Sequence, residues 1–217
     1  MSAPTTPTSS TSPTTTGLPA ATDHTGSVRR VLAISGSLRA ASFNTALLRA
    51  APAYAPAGVE IELYGGLRDL PPLDEDLEAG PLPTAVADLH HRVREADGLL
   101  IATPEYNYSV PGVLKNALDW ASRPGTEPHP PLRDKPVAIM GASPSAFGTV
   151  RAQLALRQVL LCTKSRVVPA PEVMLSSAYR HFDEKGALIP ASAEKLSERL
   201  TALLAALDSL IAASRPR

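Results

Sequence analysis

Residues 29–44 read RRVLAISGSLRAASFN. The first half, Arg29–Ser35, is short, apolar and β-branched, the pattern of a buried strand. The second half is rich in hydroxyls and carries one arginine, Arg39. It lacks the Gly-Lys-Ser/Thr ending of a P-loop and the spacing of the G-x-G-x-x-G dinucleotide motif. Residues 44–55, NTALLRAAPAYA, follow with helix-forming composition and place Leu47, Leu48 and Ala51 on one side. Strand, polar loop, helix is therefore the unit to look for in the rest of the chain.

It recurs. Residues 58–65, GVEIELYG, alternate Val59, Ile61 and Leu63 and predict a strand near a sheet edge. The Pro- and acid-rich stretch LRDLPPLDEDLEAGPLP predicts a loop. Thr84–Ala96 sets Val86, Leu89, His90 and Val93 at i, i+3, i+4 and i+7, one helix face. Asp97–Pro104 (DGLLIATP) and Pro136–Ser143 (PVAIMGAS) are further buried strands. A helix opening at Pro111 buries Leu114, Ala117, Leu118 and Ala121. Thr149–Cys162 is helical, Arg166–Glu172 is a short last strand, and Leu196, Leu200, Leu203, Leu207 and Leu210 form the stripe of a closing helix. Five strand–helix alternations predict parallel strands with right-handed crossovers. Strands apolar throughout need cover on both faces, so the fold class is α/β, a three-layer doubly wound parallel sheet of about five strands.

The chain has 217 residues and 44% hydrophobic ones, enough for a sizeable core. Lys+Arg and Asp+Glu are equal at 21 each, which argues against wholesale binding to nucleic acid or an anionic membrane. The single cysteine, Cys162, excludes an intrachain disulfide framework and fits a reducing, cytoplasmic setting. No apolar run approaches the length of a membrane span. Residues 1–28 are Ser/Thr/Pro/Ala-rich, lack the basic start and apolar core of a signal peptide, and predict a disordered tail before a domain at 29–217.

In doubly wound sheets ligands sit beyond the carboxyl ends of the strands. Three loops stand there. The first carries Ser37, Leu38, Arg39, Ser42, Phe43 and Asn44. Its backbone N–H groups lead into a helix N-terminus, Ser37, Ser42 and Asn44 add neutral donors, and Arg39 adds a forked cation suited to phosphate. The same residues serve equally as an ordinary Ser/Asn cap. The second, Pro104–Gly112, carries Pro104, Glu105, Tyr106 and Asn107; tyrosine offers a flat apolar face against a planar heterocycle. The third, Gly141–Gly148, holds Ala142 and Ser143 among small residues that allow close backbone approach. An anion cradle, an aromatic loop and a small-residue loop on one sheet edge describe a mononucleotide with a large planar base. FMN suits them better than ATP, since no Walker lysine or magnesium ligand is present.

G-S-L-R-A-A-S-F-N followed by P-E-Y-N and L-K-N-A-L-D-W resembles the NADPH-dependent FMN reductase family, which includes bacterial quinone and chromate reductases. The resemblance runs from about Arg29 to the closing helix. It implies a flavodoxin-like sheet of order 2-1-3-4-5, bound FMN, and hydride passed from NADPH or NADH through the flavin to quinones, free flavin or another small-molecule acceptor. It also implies a homodimer or homotetramer. Ser37–Asn44 then match the phosphate loop, Pro104–Asn107 the loop beside the flavin ring, and Ala142 and Ser143 the third flavin loop. Many members have Gly-Gly where this chain has Gly148-Thr149, so Thr149 is expected to narrow the space near the ring. The flavin carries the chemistry, and no catalytic side chain is assigned. A flavodoxin-like electron carrier without its own hydride site is the alternative.

Several residues are expected to do less. Cys162 reads as a small core residue. His90 and His91 diverge by about 100° on a helix, and no histidine spacing suits a metal. Lys115 and Asp119 form an i,i+4 surface pair. Trp120 is either core or, as the resemblance suggests, part of a subunit interface.

Overall fold

The structure is a computed structural model that describes Met1 and residues 28–214; the Ser/Thr/Pro-rich segment read as a tail lies outside the described residues. Its strands are β1 (Arg29–Ser35), β2 (Val59–Leu63), β3 (Gly98–Ala102), β4 (Pro136–Ala142), β5 (Arg166–Val167) and β6 (Val173–Leu175). Its helices are α1 (Phe43–Ala50), α2 (Glu75–Glu78), α3 (Thr84–Glu95), α4 (Gly112–Ala121), α5 (Val150–Cys162) and α6 (Pro190–Ala212). All pairings are parallel, in the order β2-β1-β3-β4-β5. This is the flavodoxin-like order, with its switch point between β1 and β3.

The fifth strand differs from expectation in one respect. It comes in two pieces, β5 beside Pro136–Val137 and β6 beside Met140–Ala142. Pro169 and Pro171 lie between them, and a residue without N–H cannot donate to the ladder. The stretch read as loop also holds the single turn α2, capped by Asp74 accepting from Asp76 N.

Period-two alternation sends the two faces of each strand into separate cores. Val31, Ala33, Leu100, Ala102, Ala138 and Met140 pack against α1 and α6. Leu32, Ile34, Leu99, Ile101, Val137 and Ile139 pack against α3, α4 and α5. The predicted stripes of α3 and α4 are buried as expected, and that of α6 runs through Leu207 to Ile211 rather than Leu210. No helix among the described residues is long and apolar enough to cross a membrane.

The structure decides between the two readings of one residue and reverses the reading of another. Trp120 is fully buried and its Nε1 donates to Pro71 O at 2.8 Å, so it belongs to the core and not to a subunit interface. Cys162 is an exposed free thiol. It lies about 200° around α5 from buried Leu160, so the helix turns it outward. Lys115 and Asp119 do pair, at 2.8 Å and part-exposed.

His90 is 5% exposed, and its Nε2–H donates to Trp120 O at 2.8 Å, leaving Nδ1 unprotonated. Burial pushes its pKa below the usual 6.5. The folded protein therefore binds fewer protons than the unfolded chain across that interval. The stability tied to the neutral ring is complete above about pH 6.5 and is lost as pH falls toward the depressed value. His90→Gln removes this dependence: between pH 7.5 and 5.0 the Tm of the parent should fall by several degrees more than that of the variant. Parallel Tm curves would exclude His90 as the source.

Candidate functional site

Adjacent strands β1, β3 and β4 end in register, with Ser35 opposite Ala102 and Ala102 opposite Met140. The three loops therefore emerge side by side. Gly36 N donates to Ala102 O at 2.8 Å and Thr103 N donates to Met140 O at 3.0 Å, extending the ladder past the strand ends. A Cβ at Gly36 would stand 3.1 Å from both Leu114 Cδ2 and Pro104 Cδ, so a side chain there would push against both where loop one approaches loop two.

In the first loop Ser42 is the N-cap of α1, and its Oγ accepts from Thr45 N at 3.3 Å. Ser37 Oγ accepts from Arg39 N at 3.3 Å, and Ser35 Oγ and Thr45 Oγ1 share a 2.7 Å hydrogen bond. These bonds curl the chain so that a row of N–H groups is left over. The backbone N–H groups of Ala40, Ala41, Ser42, Phe43 and Asn44 donate to no acceptor among the described residues. Five consecutive free donors at a helix N-terminus form a site for an oxyanion. Arg39 is exposed beside them, with its guanidinium 5.9 Å from the Phe43 ring centroid. The donor set fits a phosphate monoester.

Asn44 has a different task from the one its side chain suggests. Its Nδ2 donates to Ala142 O and its Oδ1 accepts from Ala142 N, both at 2.9 Å and buried. The amide clamps the start of α1 to the end of β4, and what it offers a ligand is its backbone N–H. Leu38 is half-buried against the α3–α4 core, and its carbonyl accepts from Arg68 Nη2 at 2.9 Å. Sequence reasoning missed Arg68, because nothing in LRD ties it to a loop thirty residues away.

In the second loop Pro104 is buried and Tyr106 is half exposed. Tyr106 and Ser109 exchange both backbone hydrogen bonds at 3.0 Å around Asn107 (φ 48°) and Tyr108 (φ 68°). That is type I′ turn geometry, built here without glycine. A tyrosine in the left-handed region is costly. It is held by Arg151, whose guanidinium lies 3.8 Å from the Tyr108 centroid and 5.2 Å from that of Phe147. The turn thus presents Tyr106 and Asn107 outward from a fixed base.

Glu105 supplies that base. Its carboxylate is 8% exposed, accepts from Arg151 N at 3.0 Å and Ala152 N at 3.3 Å, and pairs with Arg151 Nε at 2.6 Å. It caps the N-terminus of α5 and ties loop two to loop three. Arg151, Tyr108 and Phe147 were not singled out from the sequence; of these only Tyr108 lay in a loop already marked as aromatic.

In the third loop Ala142 and Ser143 are buried, and Ser143 Oγ accepts from Ser145 N at 3.1 Å. Thr149 does not narrow the mouth of the site. It is fully buried, accepts from Gln153 Nε2 at 3.0 Å, and fills the space beside Gly141 where a Cβ would otherwise stand. All twelve predicted residues lie on these three loops or on the strand and helix ends that flank them, at the carboxyl ends of β1, β3 and β4. A groove of about 900 Å³ runs instead along the edge strand β2 between Arg30, Glu62 and Arg92, away from the loops. No group of three or more His, Cys, Asp or Glu able to hold a metal occurs among the described residues.

The fold is that of a flavodoxin-like protein, with its three candidate loops gathered at the carboxyl ends of neighbouring strands. The match to known proteins is more particular. Residues 29–180 match the family model for NADPH-dependent FMN reductase, and the chain belongs to that family. It is 49% identical over 170 residues to an NAD(P)H-dependent FMN reductase of Pseudomonas aeruginosa, covering 78% of this chain and 90% of that one. It is 43% identical over 146 residues to a quinone reductase of Escherichia coli, covering 67% and 76%. The solved structure of the flavoenzyme FerB, an NAD(P)H:(acceptor) oxidoreductase from Paracoccus denitrificans, superposes with a TM-score of 0.75 at 32% identity, covering 86% of this chain and 99% of that one. Family membership makes the protein an oxidoreductase of the flavin-reductase type in general terms.

Proposed function

We propose that this protein is an FMN-dependent NAD(P)H oxidoreductase that reduces quinones, free flavin or a similar small acceptor. The observation that carries the reading is the row of five free backbone N–H groups at Ala40–Asn44, one strand away from an aromatic turn. When bound, FMN supplies the ring that accepts hydride from the nicotinamide and returns it to the acceptor.

The chain's own part is binding, orientation and charge. The N–H groups of Ala40–Asn44 and the Arg39 guanidinium hold the phosphate dianion. The Pro104–Asn107 segment would flank the ring, with the exposed Tyr106 face and Asn107 amide available to it. Ala142 and Ser143 bring small, closely approaching backbone to its other edge. Any backbone N–H group facing the bound ring would favour the added negative charge of its reduced form. No side chain is required as acid or base.

The same reading takes the protein as a homo-oligomer. Leu154 and Leu161 are exposed on α5, 55% and 77%, and Phe147 is exposed, 68%, in the loop that leads into it, a concentration of large apolar surface. A monomer in sedimentation velocity would overturn that part. The main reading is tested by the visible spectrum of the purified protein before and after anaerobic NADPH. A yellow protein that bleaches is expected; one that neither binds FMN nor oxidises NADPH or NADH would sink it.

A further inference from the structure

The edge strand β2 has a side that no other strand covers. Among the described residues it pairs with β1 alone, in unbroken register from Arg29 opposite Val59 to Ala33 opposite Leu63. Arg29 N donates to Gly58 O and Tyr64 N donates to Ala33 O, both at 2.8 Å, so the even-numbered backbone groups of this stretch turn toward β1. Alternation turns the N–H and C=O of Ile61 and Leu63, and the C=O of Val59, the other way. A row of such groups is a template for one more strand. Sheets blunt their edges with proline, with bulges or with charge. The sequence VEIEL has neither proline nor bulge, so its guard is charge of a single sign, Glu60 and Glu62.

The two faces of β2 differ. Val59, Ile61 and Leu63 pack, half-buried, against the α1–α6 core. Glu60 and Glu62 stand exposed on the opposite face, where α3 adds Asp88 and Glu95 to the groove that follows the edge. These four carboxylates share the groove with two guanidiniums, Arg30 and Arg92. Arg92 is already committed, to Glu62 at 2.7 Å and to Asp88 at 3.0 Å. Glu60 and Glu95 pair with no cation among the described residues. The chain as a whole holds 21 acids and 21 bases, so the excess of carboxylate is a property of this groove.

We propose that this edge docks an extended basic segment of a partner protein as an added antiparallel strand, with lysine or arginine at alternate positions and apolar residues between them. An added strand alternates its faces with the same period as β2. Its basic residues then stand opposite Glu60 and Glu62, with Glu95 beside them, and its apolar residues stand opposite the Val59–Ile61–Leu63 row. The ladder supplies affinity, and the charges select the sequence and fix its register. A second copy of this chain is a poorer occupant: antiparallel pairing about a two-fold at Ile61 sets Glu60 against Glu62 of the other strand, like charge opposite like. Residues 1–28 bring no complement, since they contain no lysine or arginine. The groove lies away from the three loops, and docking does not require that they hold a flavin.

The probe is a fluorescently labelled heptapeptide of alternating lysine and valine, titrated by anisotropy with the full-length protein. It should bind at least about tenfold more tightly than the same peptide with glutamate in place of lysine. Proline in place of the three valines keeps every charge but removes the N–H groups that an antiparallel partner aims at β2, and should cost about tenfold or more. Glu60→Lys with Glu95→Lys, at two exposed positions, should weaken the lysine peptide about tenfold with an unchanged Tm. Native-state hydrogen exchange locates the contact: the amides of Ile61 and Leu63 should slow when the peptide is added. Failure of the lysine peptide to bind, equal binding of the lysine and glutamate peptides, or equal binding of the proline peptide overturns the proposal. So does an affinity that survives the double substitution. Amides of Ile61 and Leu63 that are protected without peptide and lose protection on dilution also overturn it, and give the edge to a second copy of the chain.

Discussion

Ala41→Asp should raise the Kd for FMN about a hundredfold or more while leaving the Tm of the FMN-free protein unchanged or slightly higher. Ala41 is exposed immediately before the Ser42 cap of α1, within the row of free N–H groups. A carboxylate there meets the positive end of the helix, which stabilises the helix by a few tenths of a kcal/mol to about 1 kcal/mol. The same carboxylate stands where the phosphate must sit. Two unit charges about 5 Å apart at an effective dielectric near 20 repel by about 3 kcal/mol, roughly a hundredfold in Kd, and the phosphate carries more than one. Fluorescence titration of FMN reads the loss and thermal unfolding reads the fold. In excess FMN the parent should gain Tm by mass action and the variant should not. An unchanged Kd would mean that the phosphate binds elsewhere, and would remove the observation on which the proposed function stands.

The strands were legible because burial on both faces forces nearly unbroken apolar runs. GLLIA at 98–102 and PVAIMGA at 136–142 are fully buried, as such runs require. The position of the site was legible for the same reason: once the sheet is parallel, loops after neighbouring strands must meet at one edge. What each side chain does there was not. Asn44 and Glu105 look like ligand donors, yet each is spent on a backbone partner 98 or 46 to 47 positions away in the chain. Trp120 sits at the rim of the α4 stripe, and only the Pro71 carbonyl, from a loop 49 residues upstream, draws it in. Cys162 closes an apolar run, VLLC, in which hydropathy is uniform and only the 100° step of the helix separates inside from outside. Local pattern reports periodicity and composition; it does not report which distant carbonyl or N–H lacks a partner.

Asn44→Ala should lower Tm by roughly 10 °C and weaken FMN binding with it. The buried N–H and C=O of Ala142 lose their only side-chain partner in one step. An unsatisfied buried group costs about 1–3 kcal/mol, so two cost about 2–4 kcal/mol allowing for partial relaxation. For a domain of this size each kcal/mol is worth about 2–4 °C. The phosphate cradle suffers too, because the clamp sets where α1 begins relative to β4. Asn44→Asp separates this account from mere loss of packing. One carboxylate oxygen can still accept from Ala142 N, but the other replaces Nδ2 and faces the Ala142 carbonyl, acceptor against acceptor. The ionised form is disfavoured in the folded state, so the pKa of the introduced carboxyl should rise above its unfolded value of about 3.9. A raised folded pKa means stability present at low pH and lost as pH climbs through the folded value. Asn44→Asp should therefore be at least as unstable as Asn44→Ala at pH 7.5 and recover Tm relative to it as the buffer is taken toward pH 5. If the two variants shift in parallel with pH, the amide is a space-filler, and the link between the phosphate loop and β4 has to be sought elsewhere.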